Sequence, residues 1–232
     1  MLQQSAAEEI FKGQFVVPVQ LLKEKLHSIK AIIFDWDGVF NNGNKNIDGH
    51  SAYSETDSMG TNLMRFQYHL LNNVVPISAI ISGENNGLAH KWAKREHFHA
   101  VYSGIKHKET ALMHLCAAHQ IQPEEVLFVF DDVLDFSLAK KAGAKIMIRH
   151  AGNPLLIQYA IENGLVDYVT TLEGGFHAVR ELTELVMHLT GDFSSTITHR
   201  MQYSAAYLKF LAERDSVSTN YFVLENGVIV HQ

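Results

Sequence analysis

Short apolar runs alternate with longer amphipathic stretches along the 232 residues of this chain. Each run is too short for a buried helix and therefore predicts a buried β-strand. The predicted strands occupy residues 31–34, 76–82, 101–102, 126–130, 144–148 and 166–170. The stretches between them, including 57–72, 87–96 and 109–119, follow helical periodicity. Because strands and helices alternate at least five times, we predict an α/β fold with a parallel sheet and helices on both faces.

Two flanking segments and one loop lie outside this alternation. Residues 1–29 are predicted to be an N-terminal helical extension, with its helix at 19–29. Residues 191–232 are predicted to be a C-terminal extension that ends in a hairpin around Asn226-Gly227. The polar segment 41–56, with its Asn and Gly clusters, predicts a short β-hairpin flap. It is too short for a separate cap domain, so the main domain, 30–190, is predicted to be capless.

Composition narrows the class of protein. The net charge of -6 provides no basic surface for nucleic acid. No apolar run approaches the ~20 residues of a membrane span. The N-terminal residues carry acids where a signal peptide has Lys or Arg, and they lack an apolar core. We therefore predict a cytoplasmic protein that binds neither nucleic acid nor membrane.

The candidate chemistry begins directly after the first strand, at Asp35 and Asp37. In an open α/β sheet, ligands bind just beyond the carboxyl ends of the strands. Two carboxylates there are costly to bury without a cation or a proton. One could attack phosphorus, and the other could exchange protons with a leaving oxygen and a water. Taken alone, the motif favours an ordinary turn at the end of a strand over a catalytic site.

Further polar residues follow later strands. Ser82 and Gly83 end the second strand, where a hydroxyl and free N–H groups could hold phosphate or simply form a turn. Lys108 precedes a helix and could face a phosphate as a point charge, or could be a solvated lysine. Three acids cluster after the strand at 126–130, where carboxylates could bind magnesium or cap a helix. They are Asp131, Asp132 and Asp135.

This order of motifs, from about Ile32 to about Glu181, resembles the haloacid dehalogenase (HAD) superfamily of phosphatases. The resemblance implies a HAD-like Rossmannoid sheet, magnesium as cofactor and an aspartyl-phosphate intermediate. It assigns the nucleophile to Asp35 and the acid–base role to Asp37. The implied phosphate-binding groups are Ser82, Gly83 and Lys108; the implied metal ligands are Asp35, Asp37 through its backbone carbonyl, and Asp131; the implied outer partners are Asp132 and Asp135.

A finer resemblance is to the 3-deoxy-D-manno-octulosonate 8-phosphate phosphatase family, including its nonulosonate 9-phosphate branch. It rests on D-x-D-G-V-F, T-D-S-M-G, I-S-G and G-G-x-x-A-V-R-E. Three arginines usual in the octulosonate enzymes are absent here. Glu84 stands in one of those positions and is expected to accept sugar hydroxyls, while Arg95 or Lys91 would bind the substrate carboxylate. Phe130 replaces a glycine usual before the metal aspartates.

We therefore expect a magnesium-dependent phosphatase of a 2-keto-3-deoxy sugar-acid phosphate, of eight or nine carbons. The resemblance implies a homotetramer whose neighbouring subunits close each capless site. The alternatives are a phosphatase of another small sugar phosphate, a phosphomutase, and a catalytically weak HAD-fold subunit that serves assembly. An open site that admits water argues against the mutase, and the complete set of motif residues argues against the weak subunit.

Overall fold

The structure, a computed structural model, describes residues 6–49 and 51–232. Its helices are α1 Ala6–Ile10, α2 Val19–His27, α3 Glu55–Asn72, α4 Gly87–Arg95, α5 Lys108–His119, α6 Phe136–Ala139, α7 Pro154–Glu162, α8 Ala178–Thr190, α9 Phe193–Met201 and α10 Ala205–Asp215. Its strands are β1 Gln14–Phe15, β2 Ala31–Phe34, β3 Ile77–Ile81, β4 Ala100–Ser103, β5 Val126–Phe130, β6 Ala144–Arg149, β7 Tyr168–Glu173, β8 Asn220–Glu225 and β9 Val228–His231.

One sheet organises the described part of the chain, with strand order β1-β7-β6-β5-β2-β3-β4-β8-β9. The seven strands from β7 to β8 in this order run parallel, and the outermost strands β1 and β9 pair antiparallel with their neighbours. From β2 the chain runs through β3 and β4 to one side, and then returns to β5, β6 and β7 on the other. The strand order therefore reverses at β2 and β5, where ligands bind in open α/β sheets.

Apolar side chains cover both faces of the sheet, as a parallel sheet requires. Along β2, Ile32 and Phe34 belong to a core beneath α2, α3 and α8, whereas Ala31 and Ile33 belong to a second core beneath α5, α6 and α7. No helix in the described part of the chain has the length and apolar character needed to cross a membrane. The predicted α/β architecture is confirmed.

Both flanking segments contribute to this sheet. β1 pairs with β7, and α2 packs against α8. At the other edge, β8 adds to β4 and turns back into β9 through Asn226-Gly227, as the hairpin prediction required. Helices α9 and α10 pack on α3, where Phe66, Tyr207 and Phe210 form a small third core.

The flap differs from the predicted β-hairpin: its described residues, 41–49 and 51–54, contain no strand. Asparagine side chains bind nearby backbone N–H groups instead. Asn41 accepts from Gly43, Asn42 from Asn44, and Asn46 from Asp48. Such local bonds offer the backbone an alternative to a strand ladder. The flap is therefore a series of side-chain-capped turns, and no separate domain is inserted among the described residues.

Candidate active site

A cavity of about 370 Å³ opens at the carboxyl ends of β2 and β5. Asp35 and Asp131 lie there because each follows the last residue of a central parallel strand. The lining residues are Asp35, Asp37, Gly38, Asn42, Gly43, Ser82, Gly83, Glu84, Lys106, Lys108, Asp131, Asp132, Leu134, Asp135, His150 and Asn153. The candidate catalytic, phosphate-binding and metal-binding residues singled out in the sequence, together with Glu84, thus line a single cavity, whereas Arg95, Lys91 and Phe130 do not.

A buried ion-pair network forms the floor of this cavity. Lys108 Nζ lies 2.6 Å from Asp35 Oδ1 and 2.5 Å from Asp135 Oδ1, and only 2% of the Lys108 side chain is exposed. Burial opposes the charge on Lys108, but Asp35 and Asp135 outweigh it and raise the pKa of the lysine. Burial also raises the pKa of Asp35 well above its ordinary value, and Lys108 offsets only part of that effect.

Three carboxylates at the floor form a candidate metal centre. Ligand atoms of Asp35, Asp131 and Asp135 all lie within 4.8 Å of one another. Burial is the main cause that raises the pKa of Asp131, and the Asp135 charge acts in the same direction. A cation would remove this penalty, and an all-oxygen donor set suits magnesium. Asp135 also accepts hydrogen bonds from the N–H groups of Asp131 and Asp132, so it organises the loop after β5.

Asp37 lies higher in the cavity, and residues of the flap hold its side chain. Lys45 Nζ is 2.7 Å from Asp37 Oδ2, and Ser51 Oγ donates a 2.5 Å hydrogen bond to Oδ1. Trp36, between the two aspartates, points away into the core and packs against Phe40. Asp35 and Asp37 therefore occupy different environments, the first buried beside Lys108 and the second half-buried beneath the flap.

The rim next to β3 carries the phosphate and sugar candidates. Ser82 is buried, and its hydroxyl accepts a hydrogen bond from the Glu84 N–H, which shapes the turn through Gly83. Glu84 is exposed, and its carboxylate lies 2.5 Å from Lys106 Nζ. Lys106 was not singled out in the sequence, although it stands in the same loop as Lys108. The rim therefore presents a carboxylate and an ammonium group side by side.

Arg95 is not brought to this cavity. Its guanidinium binds Glu55 and Glu96 and donates to Ser58, because the last turn of α4 faces the start of α3. Lys91 is an exposed residue of the same helix and does not line the cavity either. Within one chain, the expected contact of Arg95 or Lys91 with a substrate carboxylate is therefore absent.

His150 is the functional candidate that the sequence reasoning missed. Its Nε2 lies 3.0 Å from the Gly38 carbonyl and 3.2 Å from Asp131 Oδ2. The hydrogen bond to Asp131 is the largest cause that raises the pKa of His150. The residue follows the last residue of β6, so the rule that sites lie at carboxyl ends of strands could have identified it.

Close backbone packing supports the catalytic loop. A Cβ on Gly38, whose φ is +82°, would lie 1.9 Å from Asp131 Oδ2, and one on Gly174 would lie 1.9 Å from the Gly38 carbonyl. The glycine turn of the G-G-x-x-A-V-R-E motif therefore rests on the loop after β2. Only glycine permits these approaches.

Two further residues lie at the end of β5 and in the loop after it. Phe130 is fully buried and stacks on Phe128 at 5.2 Å between ring centroids, so its side chain belongs to the core and does not line the cavity. Asp132 is exposed at the cavity edge, and its carboxylate accepts the Val133 N–H at the start of a 3₁₀ turn. Both the capping and the site interpretations of Asp132 are thus compatible with its position.

Comparison with known proteins identifies relatives over most of the chain. No protein-family model matches. The 3-deoxy-D-manno-octulosonate 8-phosphate phosphatase KdsC of Salmonella typhi is 30% identical over 171 residues, which are 72% of this chain and 84% of that protein. The enzyme of the same name from Yersinia pestis is 28% identical over 168 residues, 71% of this chain and 82% of its own length.

Solved structures of related proteins have a similar fold. The 3-deoxy-D-manno-octulosonate 8-phosphate phosphatase from Moraxella catarrhalis, in complex with magnesium, phosphate and KDO, superposes with a TM-score of 0.64 at 26% identity and covers 77% of this chain and 97% of its own. The cobalt-bound enzyme from Haemophilus influenzae has a TM-score of 0.61 at 21% identity, covers 75% of this chain and 99% of its own, and supports the fold alone.

The cavity lined by the motif residues, the HAD-like sheet and the similarity over more than two-thirds of the chain lead to one conclusion. This chain belongs to the 3-deoxy-D-manno-octulosonate 8-phosphate phosphatase family of the HAD superfamily, a family of phosphoric monoester hydrolases.

Proposed function

We propose that this protein hydrolyses the phosphate ester of a 2-keto-3-deoxy sugar acid, a nonulosonate 9-phosphate or an octulosonate 8-phosphate, with Asp35 as the nucleophile. The observation that carries the proposal is the position of Lys108 between Asp35 and Asp135 at the floor of the cavity. A lysine held there neutralises the nucleophile's surroundings and remains available to phosphate oxygens. Family membership supports the same reaction class.

The reaction would proceed in two steps. An Asp35 carboxylate oxygen attacks phosphorus, the bond between phosphorus and the sugar oxygen breaks, and Asp37 gives its proton to the departing oxygen. Asp37 then takes a proton from a water molecule whose oxygen attacks the same phosphorus. This attack releases inorganic phosphate and restores Asp35. The separate environments of the two aspartates suit these separate roles, because only Asp37 is held by flap groups that can exchange with substrate.

Phosphoryl transfer depends mainly on groups that neutralise the negative charge of the transferring phosphoryl group. Asp35, Asp131 and the backbone carbonyl of Asp37 would hold a magnesium ion, with Asp135 as an outer partner because its two oxygens already bind Lys108 and the N–H groups of Asp131 and Asp132. That ion would neutralise charge on the transferring phosphoryl oxygens. Lys108 contributes a fixed positive charge, and Ser82 with the N–H groups around Gly83 offers donors to phosphate. Asp135 keeps Lys108 in place.

The substrate class is inferred from the rim. The Moraxella catarrhalis relative was solved with KDO, an eight-carbon sugar acid. Here Glu84 offers acceptors for sugar hydroxyls, and Lys106 beside it offers a cation for the acid group. Because Glu84 stands where the octulosonate branch has arginine, we expect the nine-carbon substrate to be preferred.

The deciding experiment is a side-by-side measurement of kcat/KM for both sugar-acid phosphates, with magnesium and after its removal by chelation. Magnesium-dependent hydrolysis of either substrate, well above that of a generic aryl phosphate, supports the proposal. Clear preference for the eight-carbon substrate would return the chain to the octulosonate branch. Hydrolysis of unrelated small sugar phosphates at the same rate would support the broader alternative.

A second candidate function is an assembly subunit of low activity, which the substitution of Phe130 for a usual glycine suggested. Because the Phe130 side chain packs in the core, it leaves the cavity free. The aryl phosphate assay separates the two: an undetectable rate with magnesium would favour the assembly subunit.

The homotetramer remains a proposal. An open site exposes its charges to bulk water, which weakens electrostatic stabilisation, and a neighbouring subunit would exclude that water. In this chain Lys45 and Ser51 of the flap contact Asp37 of the same subunit. Light scattering that shows a fully active monomer would contradict the tetramer.

A further inference from the structure

A second cavity, of about 320 Å³, lies where α9 and α10 meet α3 and the end of α4. It shares no lining residue with the catalytic cavity. Its lining residues are Glu55, Ser58, Met59, Asn62, Arg95, Glu96, Arg200, Tyr203, Tyr207, Leu211 and Arg214. We call it the arginine cavity, after Arg95, Arg200 and Arg214.

Two of these arginines have acidic partners. Among the described residues, Arg214 contacts one carboxylate oxygen, Asp215 Oδ1, through Nε at 2.8 Å and Nη2 at 2.7 Å. A pair with an exposed carboxylate is weak and exchanges readily with a competing anion, so Arg214 stays available. Arg95 does not, because all five of its N–H groups already have acceptors, on Tyr53, Glu55, Ser58 and Glu96.

Arg200 differs from the other two. Its guanidinium carbon lies 4.7 Å from the ring centre of Tyr203 and 4.6 Å from that of Tyr207. Among the described residues no carboxylate forms an ion pair with it, and its buried Nε has no hydrogen-bond partner. Its terminal nitrogens Nη1 and Nη2 also make no hydrogen bond to a described residue, and they are not among the buried atoms, so they are available to an acceptor supplied from outside the chain.

The backbone also holds this arrangement in place. Tyr203 has a φ of +47°, an uncommon conformation for a bulky residue, at the turn between α9 and α10. That conformation directs the chain so that Tyr203 and Tyr207 lie on the same guanidinium. Strained residues of this kind persist where the surroundings enforce them, and they are frequent at ligand sites.

We propose that the arginine cavity is a second binding site, for an oxyanion: a phosphate or carboxylate group of a small molecule. The planar guanidinium of Arg200 would supply paired N–H donors, and stacking on two rings fixes its orientation so that little rotational freedom is lost on binding. Arg214 would add a second cation. The site is built from the C-terminal helices and the catalytic domain together, and it does not depend on the reaction proposed for Asp35.

Calorimetric titration of the full-length, metal-free protein tests this proposal. Inorganic phosphate and citrate are titrated separately, so that the two experiments distinguish phosphate from carboxylate chemistry. We expect saturable binding of at least one probe, and we expect Arg200→Met to weaken it by at least about tenfold, the value of one charge-assisted hydrogen bond. Arg200→Lys, which keeps the charge and loses the planar fork, should bind more weakly than the natural protein.

Two controls locate the binding. Lys209→Met removes an exposed charge of α10 that does not line the cavity. Lys106→Met alters the rim of the catalytic cavity. Lys209→Met should not change the affinity, and a loss confined to Lys106→Met would place the binding at the catalytic cavity. If neither probe binds saturably, if Arg200→Met binds as well as the natural protein, or if only Lys106→Met loses binding, the proposal is wrong. If Arg200→Met does not fold, Arg200→Lys and Arg214→Met decide in the same way.

Discussion

The floor and the rim of the catalytic cavity each contain a lysine–carboxylate pair at 2.5 Å, yet the two pairs differ in what they can contribute. At the floor, 2% of the Lys108 side chain is exposed beside Asp135, whereas 63% of the Lys106 side chain is exposed beside Glu84 at the rim. Water screens the rim pair, so its net contribution to stability is small. Removal of one floor partner would leave a buried charge without compensation. Distance alone therefore says little about an ion pair.

The largest expected effect tests the floor as the reaction centre. Asp35→Asn should lower kcat by at least about a thousandfold, because an amide cannot form the phosphorylated intermediate. The measurement is phosphatase activity with magnesium, together with thermal unfolding to establish that the variant folds. Asp132→Asn, at the exposed edge of the same cavity, is the matched control. Retention of most of the rate in Asp35→Asn would remove the nucleophile assignment.

Lys108→Met should lower the free energy of unfolding far more than the corresponding change at the rim. It leaves Asp35 and Asp135 buried without their cation, and we expect a loss of about 3–5 kcal/mol in the free energy of unfolding. Lys106→Met is the matched rim variant and should cost less than about 1 kcal/mol. Urea denaturation of the two variants at neutral pH without added metal gives both values. Equal losses would show that burial does not distinguish the pairs.

His99, a partly buried histidine that does not line the cavity, allows a stability test that needs neither metal nor substrate. Burial, with Arg65 and His119 nearby, lowers the pKa of His99 from 6.5 to about 4. Its Nδ1 accepts the Ser78 N–H, which requires the neutral ring.

Between pH ~6.5 and ~4 the unfolded chain therefore binds a proton that the folded chain does not, and stability falls as pH falls, by about 3 kcal/mol from this group. Denaturation of the natural protein and of His99→Gln at pH 7 and pH 5 measures the part of this loss that occurs above pH 5, about 2 kcal/mol. His27→Gln, at an exposed histidine of α2, is the matched control.

His150→Ala tests whether the loop after β6 helps to position the metal ligands at the floor of the cavity. Because His150 holds both Asp131 and the Gly38 carbonyl, its loss should weaken magnesium binding by about 10- to 100-fold. Calorimetric titration with magnesium measures this directly. His150→Gln, which keeps one donor, should recover part of the affinity, and Asn153→Ala, at the same cavity wall, should have no effect. Unchanged affinity in His150→Ala would mean that the residue does not position Asp131.

The smallest expected effect concerns the rim alone. Glu84→Ala should narrow the preference for the nine-carbon over the eight-carbon substrate by about tenfold, since it removes a charged acceptor of sugar hydroxyls. The free energy of unfolding should stay within about 0.5 kcal/mol of the natural value. The ratio of kcat/KM for the two substrates is the measurement. A ratio that does not change would remove Glu84 from substrate recognition.

The same distinction between floor and rim explains what the sequence could predict. Asp35 and Asp131 each follow an apolar run that predicts a buried parallel strand. Because the carboxyl ends of parallel strands meet at the same edge of a sheet, the proximity of the two aspartates was predictable from their positions. Lys108 could be placed because it begins a helix between two such strands. These groups depend on the regular sheet and on little else.

The incorrect and missing expectations all concern loops or helix surfaces. The flap does not form a hairpin because Asn41, Asn42 and Asn46 bind the nearby backbone. Arg95 turns towards Glu55 because that carboxylate lies at the facing helix start, a contact that depends on tertiary packing. His150 was missed since a single histidine after a strand has no spacing signal. Local propensity does not determine which of several partners a long or exposed side chain selects.

The outer strands of the sheet have a consequence for how the protein is made. An exposed strand edge can pair with other chains, and here β1 covers β7 while the β8–β9 hairpin covers β4. β4 ends at Ser103, but its cover begins only at Asn220. At roughly 5–20 residues per second of synthesis, that edge waits several seconds on the ribosome before its neighbour exists. Chains that stop short of Asn220 would keep an open edge, and we expect them to aggregate under conditions in which the chain of 232 residues folds.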